Sequence, residues 1–140
     1  MVVLDTNVLS ALMEANCEPR VLRCLDQFAA DSVWTTSINV FEIRAGLLAM
    51  PKGKRQAALL TEFEGVLQDV VGGRILEFDE LAAQLSAELS ARRRLAGRTI
   101  DMRDLFIAGI VQSRRAILVT RNVRDFEGNP FRIVDPWASA

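Results

Sequence analysis

The chain is expected to fold as an α/β protein: a single three-layer domain with a mainly parallel sheet of four to five strands flanked by helices. Three observations predict this class. Short β-branched apolar runs alternate with longer stretches of helical periodicity, an order that builds a parallel sheet through right-handed crossovers. The 140 residues, half of them hydrophobic, match the usual size of one folded unit, so residues 1–140 read as one domain. No Ser/Gly/Pro-rich linker, fixed-period repeat or low-complexity tract divides them.

Val2-Val3-Leu4-Asp5 begins without a polar prelude, as a fully buried central strand does. Thr6 and Asn7 are expected to cap a helix over residues 8–14. Pro19 suits the first turn of a second helix reaching Ala29, with Val21, Cys24, Leu25 and Phe28 as its apolar stripe. Val33-Trp34-Thr35-Thr36 is the second strand. Ser37 then caps a helix expected to bury Ile38, Phe41, Ala45, Leu48 and Ala49 before Pro51 stops it. Residues 52–71 read as a long helix closed by Gly72-Gly73. Arg74-Ile75-Leu76-Glu77-Phe78 is the third strand, and Asp79 caps a helix ending at Leu95 with Gly97 beyond it. Residues 101–114 are helical on the stripe Leu105, Ala108 and Val111, with Ile107 beside it. Ala116-Ile117-Leu118-Val119 is a fourth buried strand, and Arg132-Ile133-Val134 a short fifth at an edge.

Composition excludes several chemistries. The chain has no histidine, so an imidazole base, a Ser–His or Cys–His pair and a zinc-binding imidazole are all ruled out. Its two cysteines, Cys17 and Cys24, are too few for a disulfide scaffold and read as buried, reduced thiols on one helix. The start lacks the basic residues and long apolar run of a signal peptide, and no run approaches the roughly 18 apolar residues of a membrane span. A cytoplasmic protein with no membrane contact is expected. Net charge is −1, but residues 92–124 hold nine arginines against two acids, Asp101 and Asp104. An acidic body with one arginine-rich flank, Arg92, Arg93, Arg94 and Arg98 at its head, suits a phosphate-binding face; a solvated helix face or an acidic partner's dock is the alternative.

Three carboxylates stand out. Asp5 ends the first strand, where it either caps the next helix or enters a site; Thr6 and Asn7 could do that capping themselves. Glu42 lies one turn into the third helix among Ile38, Ala45 and Gly46, with no Lys or Arg four residues away, a costly place for an unpaired charge. Asp104 shares a helix face with Ile100, Ile107, Ala108 and Val111, and a buried charge needs a partner or a metal. Asp101 reads as that helix's cap. Thr120 and Asn122 follow the fourth strand and reach the same rim, since functional groups gather beyond the carboxyl ends of parallel strands. Carboxylates crowded together repel and raise each other's pKa, and a hard divalent cation such as Mg²⁺ or Mn²⁺ relieves that conflict with oxygen ligands. Such an ion activates water against a phosphodiester without any histidine.

Taken in order, Val2-Val3-Leu4-Asp5-Thr6-Asn7, Thr36-Ser37 leading to Glu42, Asp101-Met102-Arg103-Asp104 with Ile107-Ala108, Val119-Thr120-Arg121-Asn122 with Asp125-Phe126, and Pro136-Trp137 resemble a PIN domain of the VapC or FitB type. The likeness spans nearly the whole chain. It implies a PIN-like fold and a Mg²⁺- or Mn²⁺-dependent endoribonuclease with Asp5, Glu42 and Asp104 as catalytic and metal-binding acids. Thr6, Asn7, Thr120 and Asn122 would support them. It also implies a homodimer, the toxin of a toxin–antitoxin pair, neutralised by a small VapB- or FitA-like antitoxin through which the complex binds DNA. Many PIN domains carry a fourth acid where this chain has Asn122, which favours one strongly held ion; Asp125 or Asp101 could compensate. The competing readings are a non-catalytic protein that keeps the fold to bind partners, and a phospho-accepting receiver domain. The receiver expects paired acids after the first strand and a lysine after the last core strand, whereas this chain has a lone Asp5 and only Lys52 and Lys54. A haloacid-dehalogenase-like phosphatase expects Asp-x-Asp where Asp5-Thr6-Asn7 stands.

Overall fold

A computed structural model describes residues 1–138. Five parallel strands, β1 (Val2–Leu4), β2 (Val33–Thr36), β3 (Ile75–Leu76), β4 (Ile117–Val119) and β5 (Ile133–Val134), form one sheet in the order β3-β2-β1-β4-β5. Seven helices surround it: α1 (Thr6–Leu12), α2 (Pro19–Leu25), α3 (Ser37–Leu48), α4 (Lys54–Asp69), α5 (Glu80–Leu95), α6 (Met102–Ser113) and α7 (Val123–Phe126). The α/β class, the parallel sheet and the edge position of the fifth strand are as the sequence predicts.

Alternation along β1 divides the core. Val2 and Leu4 pack with Val8, Leu9, Ile43, Leu47, Phe63 and Leu67 on one face. Val3 packs with Leu89, Ile107, Ile110, Leu118 and Phe126 on the other. All three β1 residues are buried, as a central strand covered on both sides requires. Because β2 and β4 flank β1, the chain order reverses beside it, and the carboxyl end of β1 becomes the crevice of the sheet.

Several boundaries differ from expectation, each for a local reason. Helix α1 begins at Thr6, not residue 8, because Asp5 itself caps it. Thr36, not Ser37, caps α3, accepting from the Asn39 amide at 3.2 Å. Helix α2 ends at Leu25, and residues 30–32 form a 3₁₀ turn instead of a longer helix. Cys17 precedes Pro19 and so lies outside α2; both thiols are free and half-buried. The third strand shrinks to two residues.

The larger correction concerns α3. The buried face is Asn39, Ile43 and Leu47, while Phe41 and Leu48 are 60% and 66% exposed and Ala45 and Ala49 face outward. Only Ile38 of the expected stripe keeps partial contact with the core. Apolar residues ring this helix, so periodicity could not choose its inner side, and polar bonds made by Asn39 set the rotation.

Candidate active site

The carboxyl ends of β1, β2 and β4 deliver the first group. Asp5 is 3% exposed, yet no cation pairs with it among the described residues. Its Oδ1 accepts from the Thr6 amide at 2.8 Å and from Asn39 Nδ2 at 2.9 Å, and its Oδ2 accepts from the Thr120 hydroxyl at 2.6 Å. Every donor is neutral. Burial therefore pushes the Asp5 pKa up, against the lowering by the Thr120, Thr6 and Asn39 bonds, and Asp125 adds a further upward push. A carboxylate has about four acceptor positions, so three bonds fix Asp5 and leave room for one more partner.

Asn39 is the residue that the sequence reading missed. It is fully buried on α3, and its amide nitrogen donates to both Asp5 Oδ1 and Thr6 Oγ1, the latter at 3.0 Å. Its Oδ1 accepts from the Thr36 hydroxyl at 2.6 Å, which orients the amide. The available signal was a polar residue three positions before Glu42 on an otherwise apolar helix. On the opposite side, Asn7 donates to Thr120 Oγ1 at 3.4 Å and accepts from the Arg121 amide at 3.1 Å. The Asn122 backbone amide donates to Thr120 Oγ1 at 3.0 Å, while its exposed side chain makes no hydrogen bond among the described residues. Thr6, Asn7 and Thr120 thus form the scaffold around Asp5, and Asn122 contributes only backbone.

Glu42 stands one turn after Asn39 on α3, with its side chain 20% exposed. Arg44 of the same helix pairs with Glu64 instead, and the cation near Glu42 comes from α6: Arg103 Nη1 is 3.7 Å from Glu42 Oε2. Desolvation nevertheless wins, and the Glu42 pKa is raised; Arg103 and the Thr6 hydroxyl lower it, while Asp5 and Asp101 raise it. Asp101 caps α6, as expected, accepting from the Arg103 amide at 2.8 Å, and also pairs with the Arg103 side chain at 3.3 Å.

Asp104, in the first turn of α6, is half-buried and has no ion pair among the described residues. Its pKa is raised to about 7, first by desolvation and then by the negative charges of Asp5, Asp125, Asp101 and Glu42. The structure thus places Asp5, Glu42 and Asp104 in one negative field, with Asp125 at its border. They do not form a closed cage: among the described residues, no three acidic or thiol side chains stand ready to hold an ion. The donor set still suits a hard divalent cation, being all oxygen, anionic and short of positive partners.

The four arginines lie elsewhere. Arg92, Arg94 and Arg98 are exposed around the end of α5, but Arg93, expected on the surface with them, is 7% exposed and donates to the Glu127 carbonyl at 2.7 Å.

Residues 2–131 match the PIN domain family. The chain is 35% identical to VapC ribonuclease Y4jK of Sinorhizobium fredii over 140 residues, covering all of both proteins. It is 29% identical to toxin FitB of Neisseria gonorrhoeae over 137 residues, which is 98% of this chain and 99% of that one. The fold superposes on the structure of FitAB bound to the IR36 DNA fragment with a TM-score of 0.88 and 28% identity, covering 100% of this chain and 98% of the other. This chain belongs to the PIN domain family.

Proposed function

We propose that the chain is a metal-dependent endoribonuclease, the toxin of a toxin–antitoxin pair, which hydrolyses RNA phosphodiester bonds at a carboxylate-held Mg²⁺ or Mn²⁺. The observation that carries this is the half-buried Asp104, raised to about 7 by burial and four neighbouring acids and without an ion pair among the described residues. A carboxylate that is partly desolvated and surrounded by like charges suits a bound cation. The full-length likeness to a VapC ribonuclease agrees with it.

Asp5, Glu42 and Asp104 would hold the ion. When bound, such an ion supplies Lewis acidity for a water and for the phosphoryl oxygens. The chain's own residues do the rest. Asn39, Thr120 and the Thr6 amide hold both Asp5 oxygens in one orientation, so the buried carboxylate needs no rearrangement. Arg103, balanced between Asp101 and Glu42, keeps Glu42 at the rim and offers a guanidinium to an approaching phosphate. Asn122 adds no charge, so one firmly held ion is expected, with Asp125 the nearby acid able to share a second.

An antitoxin segment is the natural partner for the groove next to the acids. A cavity of about 740 Å³ is lined by Thr6 and Glu42 on the acidic side and by Met13, Ile43, Leu47 and Leu59 farther along. An amphipathic tail laid there would cover the site, and the DNA in the FitAB structure fits a role in which DNA contact passes through the antitoxin. No described helix is long and apolar enough to cross a membrane.

The test is cleavage of a structured RNA by the purified chain with Mn²⁺, with and without chelator, beside Asp104→Asn. Cleavage that needs the ion and Asp104 supports the proposal. A folded wild type that binds a partner yet never cuts RNA would instead favour the non-catalytic reading, to which the unengaged Asn122 side chain points.

A further inference from the structure

The end of α5 closes in a Schellman motif. The Gly97 amide donates to the Arg94 carbonyl at 3.0 Å and the Arg98 amide to the Arg93 carbonyl at 2.9 Å, with Gly97 at φ +69°. This geometry brings together the side chains of the residues three before and two after the helix cap, here Arg93 and Arg98. The pair that meets there is usually apolar. In this chain it is two arginines, one of them buried.

The cost of that arrangement is visible. Arg93 is 7% exposed; its Nη2 donates to the Glu127 carbonyl, but its buried Nη1 has no partner among the described residues. Burial lowers its pKa first, and the charges of Arg98 and Arg92 lower it further. None of Arg92, Arg93, Arg94 and Arg98 forms an ion pair among the described residues. The C-terminus of α5 offers this cluster only the partial negative charge of its carbonyls, not a full counter-ion. A water would satisfy one N–H, but a neutral acceptor leaves the charge uncompensated.

A cavity of about 300 Å³ opens against this cluster, lined by Arg93, Arg94 and Arg98, the hydroxyl residues Ser90 and Thr99, and Leu105. Leu105 follows Asp104 directly on α6, so this wall begins one residue from the acidic site. We propose that the cavity is a phosphate-binding site and that it receives a backbone phosphodiester of the RNA flanking the bond presented to the acids. Arginine forks and hydroxyls suit a tetrahedral anion, and an anion between Arg93 and Arg98 removes their repulsion. The RNA assignment rests on the nuclease reading; the anion site rests on the arginines alone.

The site predicts a salt-dependent contribution separable from catalysis. Binding of a labelled single-stranded RNA to the full chain is followed by anisotropy across a salt series, in chelator so that nothing is cut. Arg98→Gln changes an exposed side chain and leaves the backbone motif intact; Arg93→Lys keeps the charge but loses the fork. Both are expected to weaken binding several-fold; Arg98→Gln, which removes a charge, should also lower the slope of log K against log salt by about 0.7, the loss of one single-strand phosphate, whereas Arg93→Lys should leave the slope nearly unchanged. Inorganic phosphate should compete with RNA for the wild type more effectively than for either variant. If Arg98→Gln, shown folded by its melt, keeps the wild-type slope, the proposal is overturned. If slopes stay unchanged while the variants lose binding to poly-glutamate, the cavity serves a protein carboxylate and the RNA assignment is overturned. An RNA-binding chain with the expected slope change but no Mn²⁺-dependent cleavage would sink the nuclease reading and leave the phosphate site standing.

Discussion

Asp104 decides how the metal-free protein responds to pH. Its folded pKa of about 7 lies above the ordinary 3.8, so the folded chain holds a proton that the unfolded chain releases. Stability from this group is fully present below the ordinary aspartate range and is lost as pH rises through about 7. Melts in chelator across that range should show the wild type falling, with a flatter curve for Asp104→Asn, which should also abolish cleavage. If that variant unfolds while chelation leaves activity untouched, Asp104 is structural. Asn39 tests the scaffold: Asn39→Ala takes one of the two donors from Asp5 Oδ1 and leaves the Thr36 hydroxyl proton without its acceptor. A loss of about 1–3 kcal/mol in urea unfolding is expected, together with slower cleavage. Arg103→Gln removes the internal cation at Glu42, so Mn²⁺ affinity measured by calorimetry without RNA should rise, by up to about fivefold, the worth of a half-exposed ion pair.

At the scale of elements, what the sequence disclosed depended on whether the signal was local. Val2-Val3-Leu4 and the Asp79 and Asp101 caps each carry their reason within a few residues and stand where expected, while the helix before Gly72-Gly73 is two residues shorter at each end than the expected 52–71, running Lys54–Asp69. The face of α3 was not legible, because the bond that turns Asn39 inward goes to Asp5 on another element. The Thr120 bond to Asp5, with its partners far apart in the chain, was likewise readable only as a shared rim. Arg93 was hidden by its company, since four nearby arginines look like a solvated face until Gly97 folds Arg98 back toward Arg93. The α5–α6 contact offers a clean test. A Cβ on Gly109 would lie 2.0 Å from Ser86 Oγ and 2.5 Å from the Ala82 carbonyl, whereas one on Gly65 in α4 meets nothing within 4 Å. Gly109→Ala should therefore destabilise by about 1–3 kcal/mol or more, and Gly65→Ala should be neutral or gain up to about 1 kcal/mol, in paired thermal melts.

For the whole molecule, the exposed apolar face of α3 is the feature a lone subunit explains least. Phe41 and Leu48 lie outward with Ala45 between them, on the helix that also carries Asn39 and Glu42. A homodimer through this face is expected, and Phe41→Glu with Leu48→Glu should shift sedimentation from dimer to monomer. The two outer layers and the sheet between them serve one end, bringing β1, α3 and α6 together so that Asp5, Glu42 and Asp104 share a negative field that Arg103 offsets only at Glu42. Anomalous diffraction from crystals soaked in Mn²⁺ examines that claim most directly. A single strong peak within about 2.0–2.3 Å of oxygens from Asp5, Glu42 and Asp104 is the predicted result. A peak elsewhere, or none beside acids that remain spread apart, would contradict it.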